Sequence, residues 1–101
     1  MPKYIMLALN GPVEGQDKDY NDWYDTTHLP ELLKIPEVVA GRRYKTVGGK
    51  MPGGVSLPYV AVYEIETDNL PAILEKLGTQ LSPFSPSFDR KNSASIIAVE
   101  I

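Results

Sequence analysis

A chain of 101 residues, 43% hydrophobic and with a formal charge of -3, can bury roughly two-thirds of its unfolded surface around one core, so a single domain over residues 1–101 is expected. The acidic balance argues against nucleic acid or an anionic membrane as partner, because both require Lys and Arg clustered on one face, and here only Arg42, Arg43 and Lys45 stand close together. The absence of cysteine and the presence of one histidine exclude a disulfide framework and a thiolate metal site, and leave no ligand set for a typical zinc or non-haem iron centre.

Residues 3–9 (KYIMLAL) are apolar on both parities, which predicts a strand covered on both faces. The run is too short for a membrane span or the core of a signal peptide, and a cytoplasmic location is expected. Asn10-Gly11-Pro12 reads as a turn. Asp17, Asp19 and Asp22 then complement the N-terminus of a helix that begins near Asp17. Along it Tyr20, Trp23, Tyr24 and Thr27 recur at i, i+3, i+4 and i+7 as a core-facing stripe. Asn21, Asp25 and His28, at i, i+4 and i+7, form a polar line beside that stripe. Pro30 disfavours helical geometry at Leu29, so the helix is expected to end or kink at about His28, with residues 30–34 (PELLK) as a separate short turn.

Residues 38–47 (VVAGRRYKTV) have the β-branched and aromatic content of a strand, in which Gly41 marks a bulge or a close approach. Residues 48–58 (GGKMPGGVSLP) make a flexible connection and lack a phosphate cradle, since Gly49-Lys50 is followed by Met51. Residues 59–66 (YVAVYEIE) alternate Tyr59, Ala61, Tyr63 and Ile65 against Val60, Val62, Glu64 and Glu66, giving one wholly apolar strand face. Thr67 or Asp68 is expected to cap a second helix with Leu70, Ile73, Leu74 and Leu77 as its stripe and Gly78 as its stop. Residues 79–92 form an irregular linker whose Phe84 and Phe88 need a surface to dock on, and residues 94–101 (ASIIAVEI) are the last strand.

Strand, helix, strand, strand, helix, strand is the ferredoxin-like α+β pattern, a four-stranded antiparallel sheet with both helices on one face. The first and last strands are apolar on both parities, so the face without helices would expose a large apolar patch. A symmetric homodimer with its two sheets facing each other is expected.

The run Asn21-Asp22-Trp23-Tyr24-Asp25, then His28-Leu29-Pro30, then Arg43-Tyr44 on a strand and YVAVYEIE over residues 59–66, resembles the EthD-like (ethyl tert-butyl ether degradation) group of the dimeric α/β-barrel superfamily. The resemblance spans nearly the full length, and WYDxxHLP is its most specific part. It implies a ferredoxin-like protomer, a homodimer whose two sheets close a barrel, and a pocket in each protomer between helices and sheet. Among members it implies cofactor-free cyclases, isomerases, lyases and monooxygenases, beside many with no assigned activity. Some barrels of the superfamily bind haem, but no second feature of this chain points to it, and no cofactor is expected.

His28, with an ordinary pKa of about 6.5, could serve as base and then acid near neutral pH. Asp25, three residues earlier, could accept a hydrogen bond from one ring nitrogen and aim the other at a substrate. The alternative is that His28 caps the helix C-terminus, where a cation is favoured; the resemblance favours the functional role. Asn21 or Tyr63 could steady a developing enolate, or be respectively a solvated surface residue and a buried ring. Trp23 and Tyr24 fit core and pocket wall, as aromatic residues at helical spacing usually do. Arg43 matches the family position before Tyr44 and could hold a carboxylate or enolate, although a surface ion pair is the commoner fate of such an arginine.

The expected function is therefore a cofactor-independent lyase, isomerase or cyclase that transfers a proton on a small apolar carbonyl or aromatic metabolite of a catabolic or biosynthetic pathway. His28 would be base and acid, and Asp25 its orienter. The rival is a non-catalytic small-molecule-binding or accessory protein of such a pathway, and a third reading is a purely structural dimer.

Overall fold

Four strands, β1 (Lys3–Asn10), β2 (Val38–Lys45), β3 (Tyr59–Glu66) and β4 (Ala94–Val99), pair antiparallel in the order β2-β3-β1-β4 in a computed structural model that describes residues 1–54 and 57–101. This is the ferredoxin-like arrangement expected from the element order. Val55 and Ser56, which belong to the connection expected over residues 48–58, lie outside the described residues. β2 ends at Lys45 rather than Val47, and Thr46 N–H donates to Pro58 O at 2.8 Å just beyond the β2–β3 ladder.

Register decides which side chains meet the helices. Met6 lies opposite both Tyr63 and Ile97, and Gly41 also lies opposite Tyr63. Since side chains alternate along a strand, Met6, Ala8 and Asn10 share a face with Ala61, Tyr63 and Ile65, and the last three are buried. The other face carries Ile5, Leu7, Val60, Val62 and Ile96, with Ile5 42% and Ile96 57% exposed. Glu64 is 3.6 Å from Arg42 on that open face.

Gly41 marks a close approach and not a bulge. The irregularity in β2 falls between Val38 and Ala40, whereas a Cβ on Gly41 would stand 3.0 Å from both Leu29 Cδ1 and Tyr63 Cδ1. The missing side chain lets the long helix settle onto the sheet.

That helix corrects the sequence reading. It does not stop at His28 but runs from α1 (Asp17–Trp23) through a π turn (Tyr24–His28) into α2 (Leu29–Leu33), with Leu29 at φ -61, ψ -47. A proline inside a helix has no N–H to donate and its ring meets the carbonyl four residues back. Here Leu29 N–H donates to Tyr24 O, five residues back, and the wider turn makes room for Pro30. The extra residue also shifts the register of everything after it. Each residue turns an α-helix by about 100°, so His28 takes the core-facing position that regular periodicity assigned to Thr27. The expected line of Asn21, Asp25 and His28 is thereby broken: His28 is buried and Asp25 exposed.

In α3 (Leu70–Thr79) the cap is Asn69, not Thr67 or Asp68; its Oδ1 accepts from Ala72 N–H at 3.3 Å. Thr67 Oγ1 instead accepts from Asn69 N–H at 3.0 Å and fixes the capping residue. Gly78 lies within the last turn and does not end the helix.

Candidate functional site

Between the sheet, α2, α3 and the linker before β4 lies a cleft of about 540 Å³. Met6, Ala8 and Tyr63 form its floor, His28, Leu32 and Leu77 its helical wall, and Phe84 and Phe88 its cover. The linker is irregular, as expected, and it is firmly tied down. Glu31 accepts from the Ser82 hydroxyl at 2.6 Å and from Ser82 N–H at 3.1 Å, bonds that hold the Glu31 carboxyl below its ordinary pKa. Val13 N–H donates to Ser87 O at 2.7 Å, and Asp89 N–H to Gly11 O at 3.0 Å.

His28 sits in an aromatic box. Its ring stacks on Trp23 at 4.7 Å and 23°, and meets Tyr24 and Phe84 edge-on at 4.9 and 4.8 Å. Contact with a residue five places back is a product of the π turn, because one regular α turn brings together residues three and four apart. Among the described residues His28 makes no hydrogen bond, and its Nδ1 is buried without a partner. The ring lines the cleft. Burial pushes the imidazole pKa down to about 4, with the Arg43 charge adding to the fall and Glu31 opposing it. At neutral pH the ring is uncharged.

Two expectations for this residue fail. Asp25 does not orient it: the carboxylate is exposed and accepts from Arg43 Nη1 at 2.7 Å. Nor does His28 cap a helix end, because the helix continues to Leu33. Both failures trace to the one-residue shift in register.

Around the ring are hydroxyl and amide groups. Tyr24 and Tyr63, both cleft-lining, bring their hydroxyls to 3.3 Å. Burial raises the Tyr63 pKa, so its hydroxyl stays protonated and able to donate. Asn10, also cleft-lining and buried, accepts from the Tyr20 hydroxyl through Oδ1, which leaves its amide N–H₂ as the group it presents. Asn10 was not among the candidates, although it stands on the inward parity at the end of an apolar strand, where a polar residue calls for a reason.

The remaining candidates lie elsewhere. Arg43 donates to Asn21 Oδ1 at 2.8 Å as well as to Asp25, and Asn21 Nδ2 donates to the Tyr59 hydroxyl at 3.3 Å. The guanidinium lies 4.3 Å from the centre of the Tyr24 ring, with its side chain only 13% exposed. Asn21, Asp25 and Arg43 thus form their own cluster outside the cleft, and Trp23 backs His28 without lining the cavity.

The sheet order and the single helical layer match two solved structures. One is an ethyl tert-butyl ether (EthD) family protein from Bacillus halodurans, 18% identical, with 100% of both chains covered and a TM-score of 0.54. The other is a dimeric ferredoxin-like protein of unknown function from Thermobifida fusca, 14% identical, covering 98% of this chain and 92% of that one at a TM-score of 0.53. The fold is ferredoxin-like and shared with an EthD family protein. No protein-family model and no curated protein matches the chain. Likeness at such identity speaks for the fold, so the site must be argued from its own geometry. Among the described residues no group of three or more His, Cys, Asp or Glu side chains could hold a metal ion, and no helix is long and apolar enough to cross a membrane.

Proposed function

We propose that the cleft binds a small, mostly apolar carbonyl or aromatic metabolite and that His28 moves a proton on it without a cofactor. The observation that carries this reading is a buried imidazole with no hydrogen bond, set in the wall of an apolar cleft. A buried polar group without a partner costs about 1–3 kcal/mol, a penalty that packing alone does not require. At neutral pH His28 is uncharged and able to accept a proton. Because a pKa of about 4 makes it a weaker base than free imidazole, stabilisation of the enolate must carry more of the barrier. Tyr63 and Asn10 supply donors for an enolate oxygen, Asn10 taking the part expected of Asn21. Elimination, isomerisation and ring closure all draw on this set.

The test is hydrogen–deuterium exchange at the carbon next to the carbonyl of 2-tetralone in deuterated water, followed by proton NMR. The wild type should accelerate exchange, and His28→Gln should lose about 10²-fold or more of that acceleration. A ketone that binds the wild type yet exchanges at the same rate with both proteins would sink the catalytic reading. That outcome belongs to the second reading, a non-catalytic carrier or accessory protein, which the lack of an orienting partner on His28 Nδ1 favours.

The open sheet face supports a homodimer. Ile5, Tyr44 and Ile96 are exposed side by side with Leu7, Val60 and Val62, a patch that two facing sheets would bury. Light scattering should report twice the chain mass of 11.2 kDa, and a monodisperse particle of 11.2 kDa would remove the dimer.

A further inference from the structure

We propose that the ligand of the cleft is an oxyanion, an aromatic or aliphatic body bearing a carboxylate-like head, and that Arg90 holds that head at the mouth. The inference rests on the cleft being the ligand site and adds the charge and orientation of what enters it. Among the described residues Arg90 is the one permanently charged side chain lining the cavity. Among the described residues it has no carboxylate partner: the ion pairs are Lys18–Asp22, Arg42–Glu64, Arg43–Asp25 and Lys76–Glu37. The adjacent Asp89 makes no ion pair with it among the described residues, and turns its carboxylate instead to Asn92 Nδ2 at 2.8 Å and Lys91 N–H at 3.1 Å.

Position makes the charge directional. The Arg90 guanidinium lies 5.7 Å from the centre of the Phe84 ring, and Phe84 in turn is 4.8 Å from His28. Charge, aromatic wall and imidazole therefore follow one another inward from the opening. The backbone beneath Arg90 is fixed by Asp89 N–H on Gly11 O and by the bridge between Phe88 and Pro12. A planar guanidinium presents paired N–H groups that match the two oxygens of a carboxylate. Being exposed, Arg90 gives up little hydration to make that contact. An anion held there lays its apolar body along Phe84 and sends its far end toward His28.

Two fluorescent probes isolate the effect: 8-anilinonaphthalene-1-sulfonate and N-phenyl-1-naphthylamine share an arylamine body, and only the first carries an anionic group. Each is titrated into the wild type, Arg90→Gln and Arg90→Lys. Arg90→Gln should weaken the sulfonate by about three- to tenfold and leave the neutral amine unchanged, with Arg90→Lys recovering part of the loss and added salt shrinking the difference. Ala8→Phe and, from the helical wall, Leu77→Trp fill the cavity and should weaken both probes; either variant serves if the other does not fold. Equal affinity of wild type and Arg90→Gln for the sulfonate overturns the role of Arg90 while the cleft reading stands. Probes that ignore a folded cavity-filling variant bind elsewhere, and that result overturns both.

Discussion

Two polar groups lean on the same long helix, and the fold treats them in opposite ways. Arg43 is saturated: a carboxylate, an amide oxygen and the face of Tyr24 surround its guanidinium. His28, about one turn further along, is surrounded by carbon and has no hydrogen-bond partner among the described residues. From the sequence alone both were candidates to touch a substrate. The contrast teaches that a satisfied charged network, with nothing left to offer, holds the helix to β2, whereas an unsatisfied group beside a cavity retains its capacity to bind.

The sharpest way to break the comparison is to remove the saturated partner. Arg43→Leu takes away an ion pair, a hydrogen bond and a cation–π contact at once, and should cost about 2–4 kcal/mol in chemical denaturation. A loss under about 1 kcal/mol would show that the cluster does not hold the fold.

A smaller effect, read in the pH dependence, sharpens the other half. His28 gains its proton near pH 4 when folded and near 6.5 when unfolded. Above pH 6.5 neither state carries that proton and the contribution is flat. As pH falls from 6.5 to 4 the unfolded chain binds a proton that the folded one refuses, so the wild type should lose up to about 3 kcal/mol. His28→Phe should lack this slope and be about 1 kcal/mol more stable at pH 7, because the unpaired nitrogen is gone. Glu37 and Asp89, whose pKa values are lowered by partners other than His28, lose their contributions at lower pH equally in both proteins, whereas Glu31, held down chiefly by Ser82, also loses a small His28 contribution in the variant. An identical slope in the two proteins would mean the ring is solvated.

Much of the fold was legible because β3 states its burial in the parity of its side chains, because β1 is apolar throughout, and because the aspartates from Asp17 onward mark a helix start. Asn69 was missed because Thr67 and Asp68 are equally good capping residues and only three-dimensional context selects one. The site was half legible. A lone histidine beside aromatic residues identified the ring, but its neighbours were drawn on a helix of constant pitch. Pro30 signals an end or a kink near His28, and the helix meets it with a widened turn instead of ending. Asn10 and Arg90 escaped because the strand and linker that carry them meet His28 only after folding.

The helix from Asp17 to Leu33 carries one residue more than a straight cylinder of its length would need. Which side chains line the cleft thus depends on a count as much as on chemistry. A related chain one residue shorter between Trp23 and Pro30 could retain every aromatic ring, score as nearly the same protein, and still point its imidazole along the surface beside Asp25. In comparing such chains, the spacing between tryptophan and histidine is the quantity to read before any residue-by-residue match.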